Sequence, residues 1–98
     1  MAMKGDTVVE IKNNSVAGTL ESSDCMVWVS PGKGLNITVN SAVYQQFGES
    51  IEKTVEEVVN ALGVTDAEIQ VKDTGAIDCV IKARVETALK RAAKEAVK

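Results

Sequence analysis

Two segments of this 98-residue chain repeat apolar side chains at steps of three and four, and each follows a segment that alternates apolar with polar. In the first pair, Leu35-Asn36-Ile37-Thr38-Val39-Asn40 alternates, and Tyr44, Phe47, Ile51, Val55, Val58 and Leu62 then form one stripe. In the second, Ala67 to Asp73 alternates with Ile69 and Val71 on one side, and Ile77, Ile81, Val85, Ala88, Leu89 and Ala92 form another stripe. Alternation marks a half-buried strand, and three-four spacing marks an amphipathic helix. A helix with a single apolar stripe must lay it on something, and a sheet with one apolar face supplies that surface. The expected fold is therefore α+β: a two-layer sandwich in which a small mixed β-sheet carries two amphipathic helices on one face. The strand-helix-strand run from Leu35 to Asp73 implies a right-handed crossover and one parallel strand pair, if those strands share a sheet.

The boundaries of these elements are written in capping and turn residues. Asn40 or Ser41 is placed to cap the first helix, and Gly63 to end it. Gly48 weakens that helix by up to roughly 1 kcal/mol relative to alanine, so its first turn or two are read as a candidate separate segment. Asp73-Thr74-Gly75 is a turn in which Asp73 or Thr74 caps the second helix. Asp78 in the first turn of that helix, and Lys90, Arg91, Lys94 and Lys98 toward its end, complement the helix dipole. Asp78 to Lys82 and Glu86 to Lys90 are spaced as supporting pairs. Upstream, Val16 to Leu20 and Cys25 to Ser30 read as two strands, with Pro31-Gly32-Lys33-Gly34 as a plain hairpin turn, because the spacing of a phosphate-binding loop is absent. Residues 1–14 read as a flexible N-terminal tail or a marginal edge strand on Val8, Val9 and Ile11, and residues 15–98 as the domain.

Charge and cysteine usage narrow the function. A net charge of −3 offers no basic face for phosphate backbones, which argues against nucleic acid as a partner. No run of about 20 apolar residues is available to span a membrane, and the first residues lack a signal-peptide core. The chain is expected to be cytoplasmic. Cys25 and Cys79 are too few for a zinc cluster or a redox pair, and both are expected as buried free thiols.

Between the first two strands lies Glu21-Ser22-Ser23-Asp24. Serine hydroxyls on such a turn are open to another protein. The chain contains no histidine, so it cannot build a Ser-His triad from its own residues. An accessible, unactivated serine suits being modified better than doing chemistry. Glu21 and Asp24 invite a reading as paired catalytic carboxylates, but no second acid–base group accompanies them. They are expected to be solvated turn residues that docking partners read by charge. Trp28 lies opposite Val27 and Val29 in the alternation: it packs in the core, the reading adopted here, or stands exposed as a partner contact.

The segment from Ala17 to Met26, AGTLESSDCM, resembles the attachment motif of the citrate lyase acyl carrier family, the gamma chains of that enzyme. The resemblance continues through Gln45-Gln46-Phe47-Gly48, Gly75-Ala76-Ile77-Asp78-Cys79 and Ala83-Arg84-Val85, and covers the chain from about Ala17 to Ala93. It implies that residues 15–98 are an acyl carrier domain. It also implies that Ser22 carries 2'-(5''-phosphoribosyl)-3'-dephospho-CoA through a phosphodiester. The choice of Ser22 over Ser23 comes from the resemblance alone. The implied role is that of a non-catalytic subunit. Its thiol arm bears acetyl or citryl while the partner alpha (acyl transferase) and beta (citryl lyase) chains cleave citrate to acetate and oxaloacetate. A prosthetic-group transferase would load the arm.

Rival readings are weaker on the residues. Malonate decarboxylase carriers resemble Gly-Ser-Gly-Asp at this point, and fatty-acid carriers place the serine in Asp-Ser-Leu at the start of a helix. An unmodified structural subunit would leave the motif idle.

Overall fold

The computed structural model describes residues 10–41 and 44–93, those from 44 to 48 by their backbone alone. Six elements follow in order: β1 (Ser15–Gly18), β2 (Cys25–Ser30), β3 (Leu35–Ser41), α1 (Tyr44–Leu62), β4 (Ala67–Asp73) and α2 (Asp78–Ala93). The strands form one mixed sheet in the order β1-β2-β4-β3. β1 and β4 each pair antiparallel with β2, whereas β3 and β4 run parallel, joined through α1. Pro31-Gly32-Lys33-Gly34 is therefore not the hairpin turn expected, because β4 lies between the two strands it connects. This is the α+β architecture expected from the alternation and the stripes.

Register turns the alternation into a face. Ala17, Val27, Val71 and Val39 lie side by side across the four strands, and Val29, Ile69 and Ile37 make the next row. These rows, with Cys25 and Ala67, are the sheet's contribution to the core. The helices supply Ile51, Val55 and Val59 from α1 and Ile81, Val85, Ala88, Leu89 and Ala92 from α2. α1 packs over β3, α2 over β1 and β2, and the helices pack on each other. Apolar area removed from water on this one face is the main drive for the fold. The opposite face carries the row Val16, Trp28, Gln70 and Thr38, and no helix among the described residues lies over it.

Several expectations change in detail. Trp28 is not a core residue: with Val27 and Val29 turned inward, it is 37% exposed on the uncovered face. α1 runs through Gly48 as one helix rather than breaking there. Tyr44, Phe47 and their neighbours to residue 48 lie outside the residues whose side chains are described. α1 ends as expected, with the Gly63 amide donating to Asn60 and the Val64 amide to Val59, while Val64 is buried beneath the turn. Lys82 pairs with Glu57 of α1 at 3.5 Å rather than with Asp78, whereas Glu86 and Lys90 form the expected pair at 2.7 Å. No helix among the described residues is long and apolar enough to cross a membrane.

The reading of residues 1–14 as a tail or edge strand lies outside the described residues over 1–9. Residues 10–14 form no strand, and they are attached. Ile11 is buried in the core, and the amides of Lys12 and Asn13 both donate to the Ala92 carbonyl at 2.9 Å. The last carbonyls of a helix have no partner within it, and this segment supplies one.

Gly18 marks the point where β1 gives way to the serine turn. Its φ is +99°, and a Cβ there would lie 1.9 Å from the Cys25 carbonyl oxygen. Gly34 also has positive φ, at +73°, but open space around it. Gly18→Ala is therefore expected to cost clearly more than the ~1 kcal/mol of left-handed strain expected for Gly34→Ala. In thermal unfolding, that is a fall in Tm of more than about 4 °C for the first variant.

Candidate functional site

The turn from Glu21 to Asp24 emerges where β1 and β2 run out, and a second turn, Thr74-Gly75, runs beneath it. The Ser23 amide donates to the Thr74 carbonyl at 2.9 Å, and the Thr74 amide donates to the Asp24 carbonyl at 3.0 Å. The Thr74 hydroxyl lies within hydrogen-bond reach of both the Glu21 and Asp24 carbonyls, so its one proton bridges the two shoulders of the serine turn. Within the turn, the Asp24 amide donates to the Glu21 carbonyl at 3.2 Å. Ser23 takes a left-handed conformation, with φ of +64°, and such positions persist where surrounding contacts hold them.

The Asp24 carboxylate fastens this arrangement to the body. Arg84 of α2 donates to it twice, from Nε to Oδ1 at 3.0 Å and from Nη2 to Oδ2 at 2.8 Å. The Thr19 hydroxyl donates to Oδ2 at 2.6 Å, and the Cys25 amide to Oδ1 at 2.7 Å. Thr19 Oγ1 in turn accepts from the Glu21 amide at 3.2 Å. Two parallel bonds from a guanidinium to a carboxylate fix orientation as well as position. These donors hold the Asp24 carboxyl far below the usual carboxylate range, the Arg84 bonds first, then Thr19 and the Cys25 amide, and the Asp24 carboxylate in turn raises the Arg84 guanidinium. Below the turn, Asp73 is buried, accepting from the Ser41 hydroxyl at 2.9 Å and from the Ala76 amide at 2.9 Å.

Ser22 and Ser23 are both exposed on this fastened turn, as is Glu21. Ser22 makes no hydrogen bond to another described residue. The expectation of a solvated carboxylate thus describes Glu21 and not Asp24, whose side chain is 13% exposed and committed to Arg84. An exposed hydroxyl on a rigid turn has the access and the fixed root that a covalently attached arm requires.

Sequence reasoning placed the serines but missed their supports. Neither Asp73 nor Thr74, the two caps expected for α2, caps it: Thr74 bridges the serine turn and Asp73 accepts from the Ala76 amide. Ile77, just before α2, holds the cap position, its carbonyl accepting the first helical bonds from Val80 and Ile81. Ile77 itself, counted in the apolar stripe, is exposed. Arg84 drew no role because its partner lies 60 residues away. One signal was present: Arg84 sits three residues after Ile81 and four before Ala88, bordering the buried stripe, where a long cation needs a partner. Cys79 is exposed rather than buried, while Cys25 is buried as expected. Burial, aided by the Asp24 and Asp73 charges, pushes the Cys25 thiol up to about 11.

Comparison with known proteins bears on this geometry. Residues 12–92 match the family model described as the malonate decarboxylase delta subunit (MdcD). A citrate lyase acyl carrier protein of Haemophilus influenzae (strain PittEE) is 53% identical over 89 residues, covering 91% of this chain and 94% of that one. One from Treponema denticola is 48% identical over 84 residues, covering 86% and 97%. Among solved structures, a chain of a Pseudomonas malonate decarboxylase hetero-tetramer in complex with malonate superposes with a TM-score of 0.75. It is 20% identical, with 88% of this chain and 90% of that chain covered, a likeness of fold.

Two measurements check the chemistry of the site. A depressed folded-state value means that the ionised Asp24 supports the fold at pH above the ordinary range near 3.9, and that this support is lost as pH falls through that range toward the folded value. In carbon-13 NMR, the Asp24 carboxyl is expected not to titrate above pH ~3 in the wild type, and its midpoint is expected to move up in Arg84→Gln. Thiol titration with an aromatic disulfide reagent is expected to modify Cys79 rapidly and Cys25 only on unfolding, since the thiolate is the reactive form.

Proposed function

The chain belongs to the family of citrate lyase acyl carrier proteins, and from that premise we propose that it is the acyl carrier subunit of a citrate lyase, with Ser22 as the anchor of its arm. The observation that carries this reading is the exposed serine turn held to the body on both shoulders and at Asp24. The proposed arm is 2'-(5''-phosphoribosyl)-3'-dephospho-CoA, whose terminal thiol supplies thioester chemistry for acetyl and citryl groups. Loading forms a bond from Ser22 Oγ to phosphorus, breaks the bond from that phosphorus to the phosphate leaving group of an activated donor, and passes the serine proton to the transferase.

The chain's own residues anchor rather than react. Thr74 and Asp24 keep the root of the arm still, so the swing is confined to the arm itself. A tether of this kind raises the local concentration of its cargo at a partner's active site to the order of millimolar. Citrate cleavage belongs to the alpha and beta chains in this reading, in the cytoplasm. Glu21 is the carboxylate open to basic partner surfaces, and Asp24 contributes by shaping the turn.

A second reading, a malonate decarboxylase-type carrier, draws on the matched family model and on the shared fold. The identities of 53% and 48% to citrate lyase carriers favour the first. Association with purified citrate lyase alpha and beta chains, against malonate decarboxylase chains, separates the two by size-exclusion chromatography.

Intact mass after co-expression with the prosthetic-group transferase tests the anchor. One addition is expected on the wild type and on Ser23→Ala, and none on Ser22→Ala. An addition that survives Ser22→Ala and is lost in Ser23→Ala would move the anchor by one residue.

A further inference from the structure

Five large apolar side chains stand exposed among the described residues: Val16, Leu20, Trp28, Leu35 and Ile77. The two most exposed, Ile77 at 66% and Leu20 at 53%, belong to the segments that form the serine end of the molecule. Leu20 directly precedes Glu21. Ile77 follows Thr74-Gly75, the segment to which the Ser23 amide is bonded. Leu35, by contrast, pairs with Ala67 at the other end of the sheet. The six residue steps from there to Ser41 span about 20 Å at ~3.3 Å per residue.

Ile77 is also the wrong residue for the fold at its position. Its carbonyl accepts the first bonds of α2, which puts it at the helix's N-cap position. Asn, Asp and Ser are strongly favoured there because their side chains accept a bond from an unpaired amide, and isoleucine is among the least favoured. Isoleucine here neither caps the helix nor packs in the core. Its apolar surface has a use only when another molecule covers it.

Any enzyme that loads Ser22 must bring its active site to Oγ and so covers the residues that border the turn. We propose that Leu20 and Ile77 are the apolar grip by which the loading transferase holds this carrier. The transferase surface is apolar opposite this pair and basic opposite Glu21. This inference rests on the reading of Ser22 as the anchor. It assigns the specificity of loading to two side chains outside the Glu21–Asp24 turn itself, with burial of apolar area supplying affinity and Glu21 supplying orientation.

The test is the rate of mass gain with purified transferase and its activated donor, measured against carrier concentration for wild type, Ile77→Asn, Leu20→Asn and Leu35→Asn. Ile77→Asn and Leu20→Asn are each expected to raise KM about tenfold, a loss of roughly 1.4 kcal/mol in binding, with kcat nearly unchanged. Leu35→Asn is expected to load like the wild type. The Tm of Ile77→Asn is expected to rise, because asparagine caps α2. A structural role for Ile77 would lower the Tm together with loading, and that result overturns the inference, as does an unchanged KM in both variants. If the wild type gains no mass on Ser22, the anchor reading fails and takes this inference with it. A loaded wild type with indifferent variants overturns this inference alone.

Discussion

The ion pair between Asp24 and Arg84 joins the two halves of the molecule that matter to each other. Arg84 belongs to α2, whose other face is core, and Asp24 belongs to the turn that carries the serines. Left to itself, a four-residue turn between short strands would sample many shapes. Here one carboxylate takes two bonds from the guanidinium and one each from Thr19 and the Cys25 amide. Thr74 closes the other side by bridging two carbonyls of the same turn. The result is a backbone with little freedom bearing side chains with much, which suits an anchor.

The two faces of the sheet divide labour accordingly. One holds nearly all the apolar packing, with both helices laid on the rows through Val27 and Val29. The other carries Trp28 in the open between Val16 and Gln70. The serine turn lies at neither face but at the end of the sheet, beyond Cys25 and Asp73, the paired residues that close β2 and β4. Stability is thus made at a distance from the hydroxyls, and an arm attached to them does not disturb what holds the protein together.

Much of this was legible in the residue order. β2 begins and ends with its apolar run and β4 with its alternation, and the parallel pair follows from a helix set between two strands. The buried stripe of α2 was read correctly except at Ile77. Alternation alone could not say which side of β2 faces the helices, because Val27 and Val29 on one side and Trp28 on the other are all apolar. Register settles it: two valines flanked by core rows outweigh one tryptophan. The supports of the site were the least legible. Hydrogen bonds from Thr74 and Arg84 connect residues 50 to 60 positions apart, and no local pattern encodes a partner at that separation. Cys79 is exposed for a reason that helical spacing does encode: it lies off the Ile81-Val85 stripe, on the open side that it shares with Lys82, Ala83 and Glu86.

The pairing of β2 with β4 rather than with β3 means that the chain completes its central sheet only after about three quarters of it is in place. Contacts so far apart in sequence must overcome a loop-closure cost before they reward it. The clamp on the turn waits longer still, since α2 is the last element. A partly made chain therefore displays the two serines without their shape. The finished shape of the serine turn is a late product of folding.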